Sequence, residues 1–322
     1  MLRNALLFAL TAVIVESGIQ PVGASATQPA QTNRPPEARS LTGEPLYSPD
    51  PPASSKARLE ADLASAQAVY DKDPSSLDAT IWLGRRLAYL GRFRDSIDVF
   101  TKGLKQHPKS PELYRHRGHR YITVREFDKA IADFDKAVVL IKGKADVIEQ
   151  DGAPNLKGIP RSTLHGNIWY HLALAHYLKG DFDKSRLAWL EGLKVATNDD
   201  TRVAKTDWLY MTYRRMGREA DAKKVLEPIT ETMDVIENTA YHKRLLMYKG
   251  LVKPEDLLGA PVGGSTLAEG VQLATQGYGV GNWYLYNGEK DKARAVFEKM
   301  LKGGSWAAFG YIAAEADMKR GL

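Results

Sequence analysis

The chain of 322 residues contains no cysteine. This absence excludes disulfide bonds, thiolate zinc sites, thiol nucleophiles and a lipid-modified N-terminal cysteine. Long runs of lysine and arginine are also missing, and the net charge of +6 is only mildly basic for a nucleic-acid-binding protein. The hydrophobic fraction of 43% is sufficient for a folded core, which excludes wholesale disorder.

Motifs of the common enzyme classes are absent as well. The sequence has no G-x-S-x-G elbow, no phosphate-binding loop and no H-E-x-x-H pair. His116 and His119 are three residues apart, but no third metal ligand is near them in the sequence. The basic run 115–120 (RHRGHR) could contact phosphate, but the acidic residues after it argue against a nucleic-acid partner. We therefore expect a non-enzyme without metal, cofactor or nucleic acid.

The first 26 residues have the features of a signal peptide. Arg3 gives a short positive region, residues 5–15 are apolar except for one threonine, and residues 24–26 (ASA) form a small-x-small cleavage pattern. The apolar run is shorter than the about 20 residues that a membrane-spanning helix needs. We expect export, cleavage near Ala26, a periplasmic or secreted mature protein, and no integral membrane span after cleavage. Retention as an anchor is the alternative.

Residues 27–55 are rich in proline, serine and threonine and lack apolar periodicity. This composition predicts a disordered Pro-rich linker. Leu46 and Tyr47 form its only apolar pair, which could dock on the folded part of the chain. An undocked linker is the main prediction.

The folded part, residues 56–322, contains an internal period of 34 residues. Three residue pairs are separated by this offset: Gly84 and Gly118, Phe93 and Phe127, and Phe100 and Phe134. Three independent pairs at one offset indicate structural repeats. A small residue lets two helices approach closely, and aromatic side chains fill the space around the contact.

Residues 111–137 (PELYRHRGHRYITVREFDKAIADFDKA) resemble one unit of the tetratricopeptide repeat (TPR) family. The residues that fit the family pattern are Tyr114, Gly118, Tyr121, Phe127, Ala130, Phe134 and Ala137. The resemblance implies an all-α fold, a right-handed α-solenoid of antiparallel helix pairs that forms a TPR-like superhelix. It also implies a scaffold that binds a protein or peptide partner, without naming that partner.

The repeat pattern divides the folded part into units. We assign clear repeats to residues 77–110, 111–144 and 166–199, degenerate units to 203–236 and 237–265, a last pair to 274–305 and a capping helix to 306–320. Residues 56–71 predict a helix that caps the other end. Pro228 should end or kink the helix in which it lies. The insertion 145–165 is either a solvated loop or a segment that folds over the binding face.

The resemblance implies a concave groove lined by the first helix of each repeat. Spacings of three and four residues select the side chains that face it. The candidate ligand-binding residues are Arg85, Tyr89, Arg115, His119, Tyr170, Leu174, Tyr177, Met211 and Arg214. Tyrosine and arginine suit peptide capture, because a rigid ring buries area at little entropic cost and a guanidinium pairs with a carboxylate. Each tyrosine could instead pack between helices, and each arginine could be merely solvated.

These patterns predict an exported, non-catalytic scaffold or adaptor that binds a peptide or protein partner in its groove, within an envelope-associated complex. The alternative is an exported enzyme or enzyme subunit that acts on a carbohydrate or envelope substrate in a groove walled by the insertion 145–165. Two acids or a His–acid pair with shifted pKa values beneath the insertion would favour the enzyme. An open groove without such a cluster would favour the scaffold.

Overall fold

The computed structural model describes residues 35–322, apart from residues 52, 153, 156 and 259–266, and within 267–273 it describes the helix but not the side chains. The predicted signal peptide and residues 27–34 lie outside the described residues. In the described part, one short antiparallel hairpin pairs β1 (Ala38–Arg39) with β2 (Pro45–Leu46), and the other elements are helices. The fold is an all-α solenoid, as predicted.

The helices follow one another as α1 (Ala53–Lys72), α2 (Leu77–Tyr89), α3 (Phe93–Gln106), α4 (Pro111–Thr123), α5 (Phe127–Ile141), α6 (Leu164–Lys179), α7 (Phe182–Lys194), α8 (Asp199–Arg215), α9 (Glu219–Val225), α10 (Thr239–Tyr248), α11 (Pro254–Leu258), α12 (Leu267–Tyr286), α13 (Lys290–Leu301) and α14 (Phe309–Arg320). Consecutive helices from α1 to α9 pack against one another in chain order. The α9 helix ends before Pro228, as expected, because a proline cannot donate the backbone hydrogen bond of a helix interior.

Glycine at the helix contacts explains the tight pairing within the first two repeats. A Cβ added to Gly84 would lie 2.3 Å from Cε1 of Phe100, and one added to Gly118 would lie 2.8 Å from Cζ of Phe134. Phe100 and Phe134 are 1% and 0% exposed. Each ring therefore packs directly on the backbone of the preceding helix, and a larger residue at either glycine would separate the pair.

The first helices of four successive units begin with side-chain caps. Ser76, Ser110, Thr163 and Asn198 each accept a hydrogen bond from the backbone N–H three residues ahead. Such caps satisfy donors that a helix start leaves without intrahelical partners. The caps fix where α2, α4, α6 and α8 begin, and these helices carry the predicted groove residues.

Residues 36–50 differ from the predicted disordered linker because they pack against the solenoid. Ala38 and Leu46 are buried and belong to the main hydrophobic cluster. Leu46 thus docks, whereas its neighbour Tyr47 keeps 42% of its surface exposed. The predicted linker also ends too late, because residues 53–55 already belong to α1, which begins at Ala53.

Two hydrogen bonds hold this N-terminal segment in place. The indole Nε1 of Trp306 donates to the carbonyl oxygen of Tyr47 at 2.7 Å, and Ser48 Oγ donates to the carbonyl oxygen of Gly91 at 2.6 Å. The partners are 259 and 43 residues away in the sequence. Local composition therefore contains no signal for this docking.

The C-terminal helices fold back onto the side of the solenoid formed by the first helices. The α12 helix contacts α8 and α10, and α14 contacts α6 and α12. A buried ion pair links Arg125, between α4 and α5, to Glu315 of α14, with 2.9 Å between Nε and Oε2. Asp317 of α14 is fully buried and lies 2.9 Å from Arg215 at the end of α8. The C-terminal helices therefore occupy much of the face that the sequence predicts to be a concave groove.

Candidate functional site

Three of the predicted groove residues lie inside the core rather than on a groove surface. Leu174, Tyr177 and Met211 are each 0% exposed. The hydroxyl oxygen of Tyr177 accepts hydrogen bonds from Tyr278 Oη at 2.7 Å and from Asn282 Nδ2 at 3.1 Å. The α12 helix thus brings Tyr278 and Asn282 to the hydroxyl group of Tyr177, and none of the three side chains contacts solvent.

Tyr170 and Arg214 also make interhelical contacts. Tyr170 Oη accepts a hydrogen bond from Trp208 Nε1 at 2.9 Å and lies 3.0 Å from Tyr241 Oη. The guanidinium of Arg214 lies 4.5 Å from the ring centroid of Tyr286. Tyr170 thus follows the packing alternative that the sequence leaves open for the tyrosines, whereas Arg214, with a side chain 15% exposed, is not the solvated arginine of its alternative.

The other four predicted residues, Arg85, Tyr89, Arg115 and His119, lie on α2 and α4. Arg85 Nη2 donates to Tyr89 Oη at 3.3 Å. The insertion 145–165 covers this group, since Glu149 Oε2 lies 2.9 Å from Arg115 Nη2 and both side chains are 13% exposed. The structure therefore brings these four residues together, and it places a carboxylate of the chain itself against them.

The backbone of the insertion crosses the first helices of the first three units. Arg85 Nη2 donates to the carbonyl oxygen of Gln150 at 2.9 Å, and Arg86 Nη1 donates to that of Gly152 at 3.2 Å. Asn167 of α6 donates to the Glu149 carboxylate. Of the two alternatives for the insertion, the structure shows the segment that folds over the face.

The remainder of the insertion is fixed to the segment before α10. Asn155 Nδ2 donates to Glu237 Oε1 at 2.6 Å, and Arg161 Nη2 donates to Asp234 Oδ2 at 2.6 Å. An isolated antiparallel bridge pairs Ile148 with Thr163 and closes the base of the loop. The insertion is thus anchored at its base and at both sides of the face that it crosses.

Burial and positive charge keep the histidines of this region neutral. Burial lowers the pKa of His116, His119 and His171 well below the usual value, and nearby arginines lower it further. Burial, with the charge of Arg115, also lowers the pKa of Arg120 to about 9. The region therefore favours the binding of negative charge over the gain of protons.

The pKa values of two acids, Asp151 in the insertion and Glu237 beside it, are raised. Burial raises the pKa of Asp151, and the charge of Arg85 partly offsets this shift. Burial also raises the pKa of Glu237, against the hydrogen bond from Asn155. A histidine–acid contact is present too, with 3.9 Å between His116 Nε2 and Glu149 Oε1. Acids with raised pKa values and a histidine–acid contact are the features expected of the enzyme alternative.

A cavity of about 340 Å³ adjoins the group on α2 and α4. Its walls include the side chains of Tyr89, Phe93, His119, Tyr241, Trp306 and Phe309, with Ser48, Pro49 and Pro51 of the N-terminal segment on one side. Sequence reasoning missed Trp306 and Phe309, because they lie in the region predicted only as a capping helix. Their distance in sequence from α4 leaves no local signal of this contact.

The part of the chain that the structure describes has neither a cluster of metal ligands nor a membrane-spanning helix. Within the described ranges, no three His, Asp or Glu side chains converge closely enough to hold a metal ion. Among the helices described, none combines the length and hydrophobicity required to cross a membrane.

Comparisons with known proteins identify the repeat type. Residues 83–145 match the family model described as tetratricopeptide repeat. No curated protein matches the sequence significantly. Matching structures include the MamA protein (16% identity, 62% of this chain and 89% of that chain, TM-score 0.42) and YrrB, titled a TPR protein with an unusual peptide-binding site (12%, 74% and 92%, 0.42).

A tetratricopeptide repeat protein from Parabacteroides merdae matches with 15% identity over 77% of this chain and 88% of that chain, at a TM-score of 0.49. These weak similarities assign no ligand to the present chain. The family match covers α2 to α5, where the glycine and phenylalanine residues of the 34-residue period pack together. Residues 83–145 are therefore similar to the tetratricopeptide repeat, the repeat type that the sequence pattern predicts.

Proposed function

We propose that the protein is an exported, non-catalytic TPR scaffold that binds an extended acidic segment of a partner protein across α2 and α4. One observation carries this proposal: the insertion already lies there as an extended acidic segment. Glu149 pairs with Arg115, and Arg85 and Arg86 donate to the carbonyl oxygens of residues 150 and 152. The insertion thus acts as an internal ligand that a partner replaces.

The chemistry of these contacts defines the partner segment. Hydrogen bonds to main-chain carbonyls require an extended backbone but no particular side chains. The Arg115 guanidinium requires a carboxylate, and charge-assisted hydrogen bonds are about twice as strong as neutral ones. A segment with one acidic residue followed by two or three residues in extended conformation fulfils both requirements.

Competition with the insertion sets the apparent affinity. A partner binds only the fraction of molecules in which the insertion has left the face, and its apparent affinity falls by that fraction. A change that weakens the hold of Glu149 on Arg115 therefore strengthens partner binding. A change in Arg115 itself weakens both the hold of the insertion on the face and the binding of the partner.

The peptide arm of the test uses residues 35–322 and a fluorescent peptide with the insertion's own sequence, DVIEQDG. We expect Glu149→Gln to bind the peptide more tightly than the wild type and Arg115→Gln to bind at least tenfold more weakly, as the loss of a charged hydrogen bond predicts. Arg218→Gln, in an exposed pair with Asp221, is the matched control. Equal binding of DVIEQDG and DVIQQDG would refute the acidic specificity.

The partner itself is identified by a crosslinked pull-down from the native envelope fraction. Protein captured by the wild type, enriched by Glu149→Gln and lost by Arg115→Gln is the groove partner. Export is tested by cell fractionation and by sequencing the mature N-terminus, which we expect near residue 27. Recovery of the protein in the cytoplasm with an intact N-terminus would contradict that part of the proposal.

The enzyme alternative is supported by the raised pKa values of Asp151 and Glu237 and by the contact of His116 with Glu149. It predicts that envelope polysaccharide is cleaved by the wild type and not by Asp151→Asn or Glu237→Gln. Release of reducing ends measures this activity. Cleavage lost in both variants, with peptide binding retained, would establish an enzyme in place of a scaffold.

A further inference from the structure

We propose that the cavity beside α4 binds a small neutral aromatic molecule, and that this molecule ties the N-terminal segment to the rest of the solenoid. The cavity adjoins the peptide face proposed above and shares Tyr89 and His119 with it. The proposal does not rest on the proposed function, because neither Arg115 nor any residue of the insertion is among the described residues that line the cavity.

The lining of the cavity carries no charge. Among the described residues that line it there is no lysine, arginine, aspartate or glutamate. His119 stays neutral, because burial lowers its pKa well below the usual value and the charge of Arg120 lowers it further. The central carbon of Arg120 lies 5.8 Å from the ring centroid of Phe93, but Arg120 is not part of the lining. A charged ligand would lose its hydration here without gaining a partner, so the lining favours a neutral molecule.

Four polar side chains of the lining already have partners within the protein. Hydrogen bonds join Tyr89 to Arg85, Tyr241 to Tyr170, Trp306 to the carbonyl oxygen of Tyr47 and Ser48 to the carbonyl oxygen of Gly91. A ligand that leaves these bonds intact contacts the rings and aliphatic groups of the walls. Since apolar cavities bind apolar molecules, the ligand needs a hydrophobic body.

The walls present aromatic rings at angles that suit a flat ligand. The rings of Phe93 and Trp306 meet edge to face, with 5.4 Å between their centroids, and the ring of Phe309 lies 5.2 Å from that of His119. Phe93 and Trp306 are buried, so packing fixes their rings in these positions. A ligand ring can add an offset-stacked or edge-to-face contact, which contributes beyond the area that it buries. An aromatic ligand therefore binds more tightly than an aliphatic one of the same size.

The size of the cavity limits the ligand to a small molecule. Its volume of about 340 Å³ lies at the lower end of the range of ligand pockets, roughly 300–1,000 Å³. A molecule of two fused rings, such as a naphthalene derivative, is of suitable size.

Binding of such a molecule is coupled to the docking of the N-terminal segment. Ser48, Pro49 and Pro51 bound one side of the cavity, and residues 304–309 bound another. The cavity loses the first of these walls when the segment leaves, so the ligand binds best to the docked form. A ligand that binds only the docked form makes opening of the segment about tenfold rarer when its free concentration is about ten times its Kd.

The test measures binding of 2-naphthol, which is neutral at pH 7, and of the charged 2-naphthoate to the purified protein by isothermal titration calorimetry. We expect naphthol to bind at least about tenfold more tightly than naphthoate, because the cavity offers no partner for a carboxylate. Hydrogen exchange of residues 36–50 should slow about tenfold at a naphthol concentration of about ten times its Kd. This second readout distinguishes binding in the cavity from adsorption of naphthol elsewhere on the protein.

Two variants test the position of the site. Ala308→Leu fills the cavity and should abolish naphthol binding, whereas Ala61→Leu makes the same change on the exposed surface of α1 and should leave it intact. Phe309→Leu keeps an apolar side chain but removes one ring, and should weaken naphthol about three- to tenfold. Circular dichroism should show the wild-type helix content in each variant, and Phe309→Leu carries the test if Ala308→Leu does not fold.

Four results would each overturn the proposal. These are naphthoate bound as tightly as naphthol, no naphthol binding below millimolar concentration, unchanged naphthol binding in a folded Ala308→Leu or in Phe309→Leu, and unchanged hydrogen exchange of residues 36–50 at saturating naphthol. None of these results depends on DVIEQDG binding, which tests the peptide face by itself.

Discussion

Arg125 and Glu315, which lie 190 residues apart in the sequence, form an ion pair in which the side chains are only 3% and 4% exposed. Arg125 also adopts a left-handed backbone conformation, with φ of 66°. The preceding repeat has a glycine, Gly91, in the same turn, with φ of 73°. A side chain in this conformation is strained by about 1 kcal/mol or more, and this strain persists where the surrounding structure holds the residue. The ion pair to α14 holds it, together with hydrogen bonds from the guanidinium to the carbonyl oxygens of Trp306 and Thr123.

We expect Glu315→Leu to destabilise the protein by about 3–5 kcal/mol, because it leaves a buried arginine without its partner. Arg125→Gly also leaves a buried group, the Glu315 carboxyl, without its partner, but this group can take up a proton and the glycine relieves the backbone strain, so this change should cost less. Urea unfolding measures both changes. Glu191→Leu, in an exposed pair with Lys194, is the control and should change stability by about 1 kcal/mol or less. If Glu315→Leu lowered the free energy of unfolding as little as Glu191→Leu does, the Arg125–Glu315 pair would not hold α14.

Replacing either of two tightly packed glycines by alanine should destabilise the protein, but a second substitution should rescue only one of the two variants. Gly84→Ala places a Cβ against the Phe100 side chain and should destabilise the protein by about 1–3 kcal/mol. Gly310→Ala places its Cβ 2.1 Å from the backbone carbonyl oxygen of Ala274, which cannot move by a rotamer change. Adding Phe100→Leu should recover part of the stability of Gly84→Ala and none of that of Gly310→Ala. Thermal unfolding measures these differences.

Lys205 gives the protein a defined pH dependence. Burial lowers its pKa to about 8 in the folded state, against about 10.4 for an unfolded chain. Below about pH 8 both states carry the proton, and between about pH 8 and 10 the unfolded state binds more protons, so stability rises with pH.

Lys205→Met should therefore remove a rise of up to about 1.4 kcal/mol per pH unit in this window. Denaturant unfolding at pH 7.5, 8.5 and 9.5 measures it. Lys194→Met, whose wild-type side chain is 68% exposed, should keep the wild-type slope. If the free energy of unfolding changed with pH in the same way in the wild type and in Lys205→Met, the lowered pKa of a buried Lys205 would be contradicted.

The N-terminal segment should depend on Trp306. Trp306→Phe keeps an aromatic ring in the cavity but removes the hydrogen bond to the Tyr47 carbonyl. Since one hydrogen bond contributes about 1 kcal/mol, residues 36–50 should open about five times more often. Hydrogen exchange of these residues measures the opening. Trp283→Phe on α12 is the control, and faster exchange in both variants alike would indicate general loosening.

Features that depend on residues close in sequence were predictable. The Gly84–Phe100 and Gly118–Phe134 contacts follow from the 34-residue period, because each joins adjacent helices of one repeat. The end of α9 before Pro228 follows from the chemistry of proline alone. Of the candidate groove residues, Arg85 and Arg115 do lie with Tyr89 and His119 beneath the insertion.

Features that depend on distant contacts were not predictable. Leu174, Tyr177 and Met211 are fully buried, and they lie on α6 and α8, which α14 and α12 contact as they fold back. The hydroxyl groups of Tyr177 and Tyr278 meet across 101 residues of sequence. Helical spacing identifies the face on which such a residue lies, but it does not specify what covers that face.

The helices, their pairing and the repeat follow from local patterns in the sequence, because a 34-residue period and its caps act over one or two helices at a time. Which part of the concave face stays available depends on contacts between distant segments. There the C-terminal helices, the insertion and the N-terminal segment compete for the same surface. Their contacts are set by shape and charge between segments far apart in the chain, such as Trp306 with Tyr47 and Arg125 with Glu315.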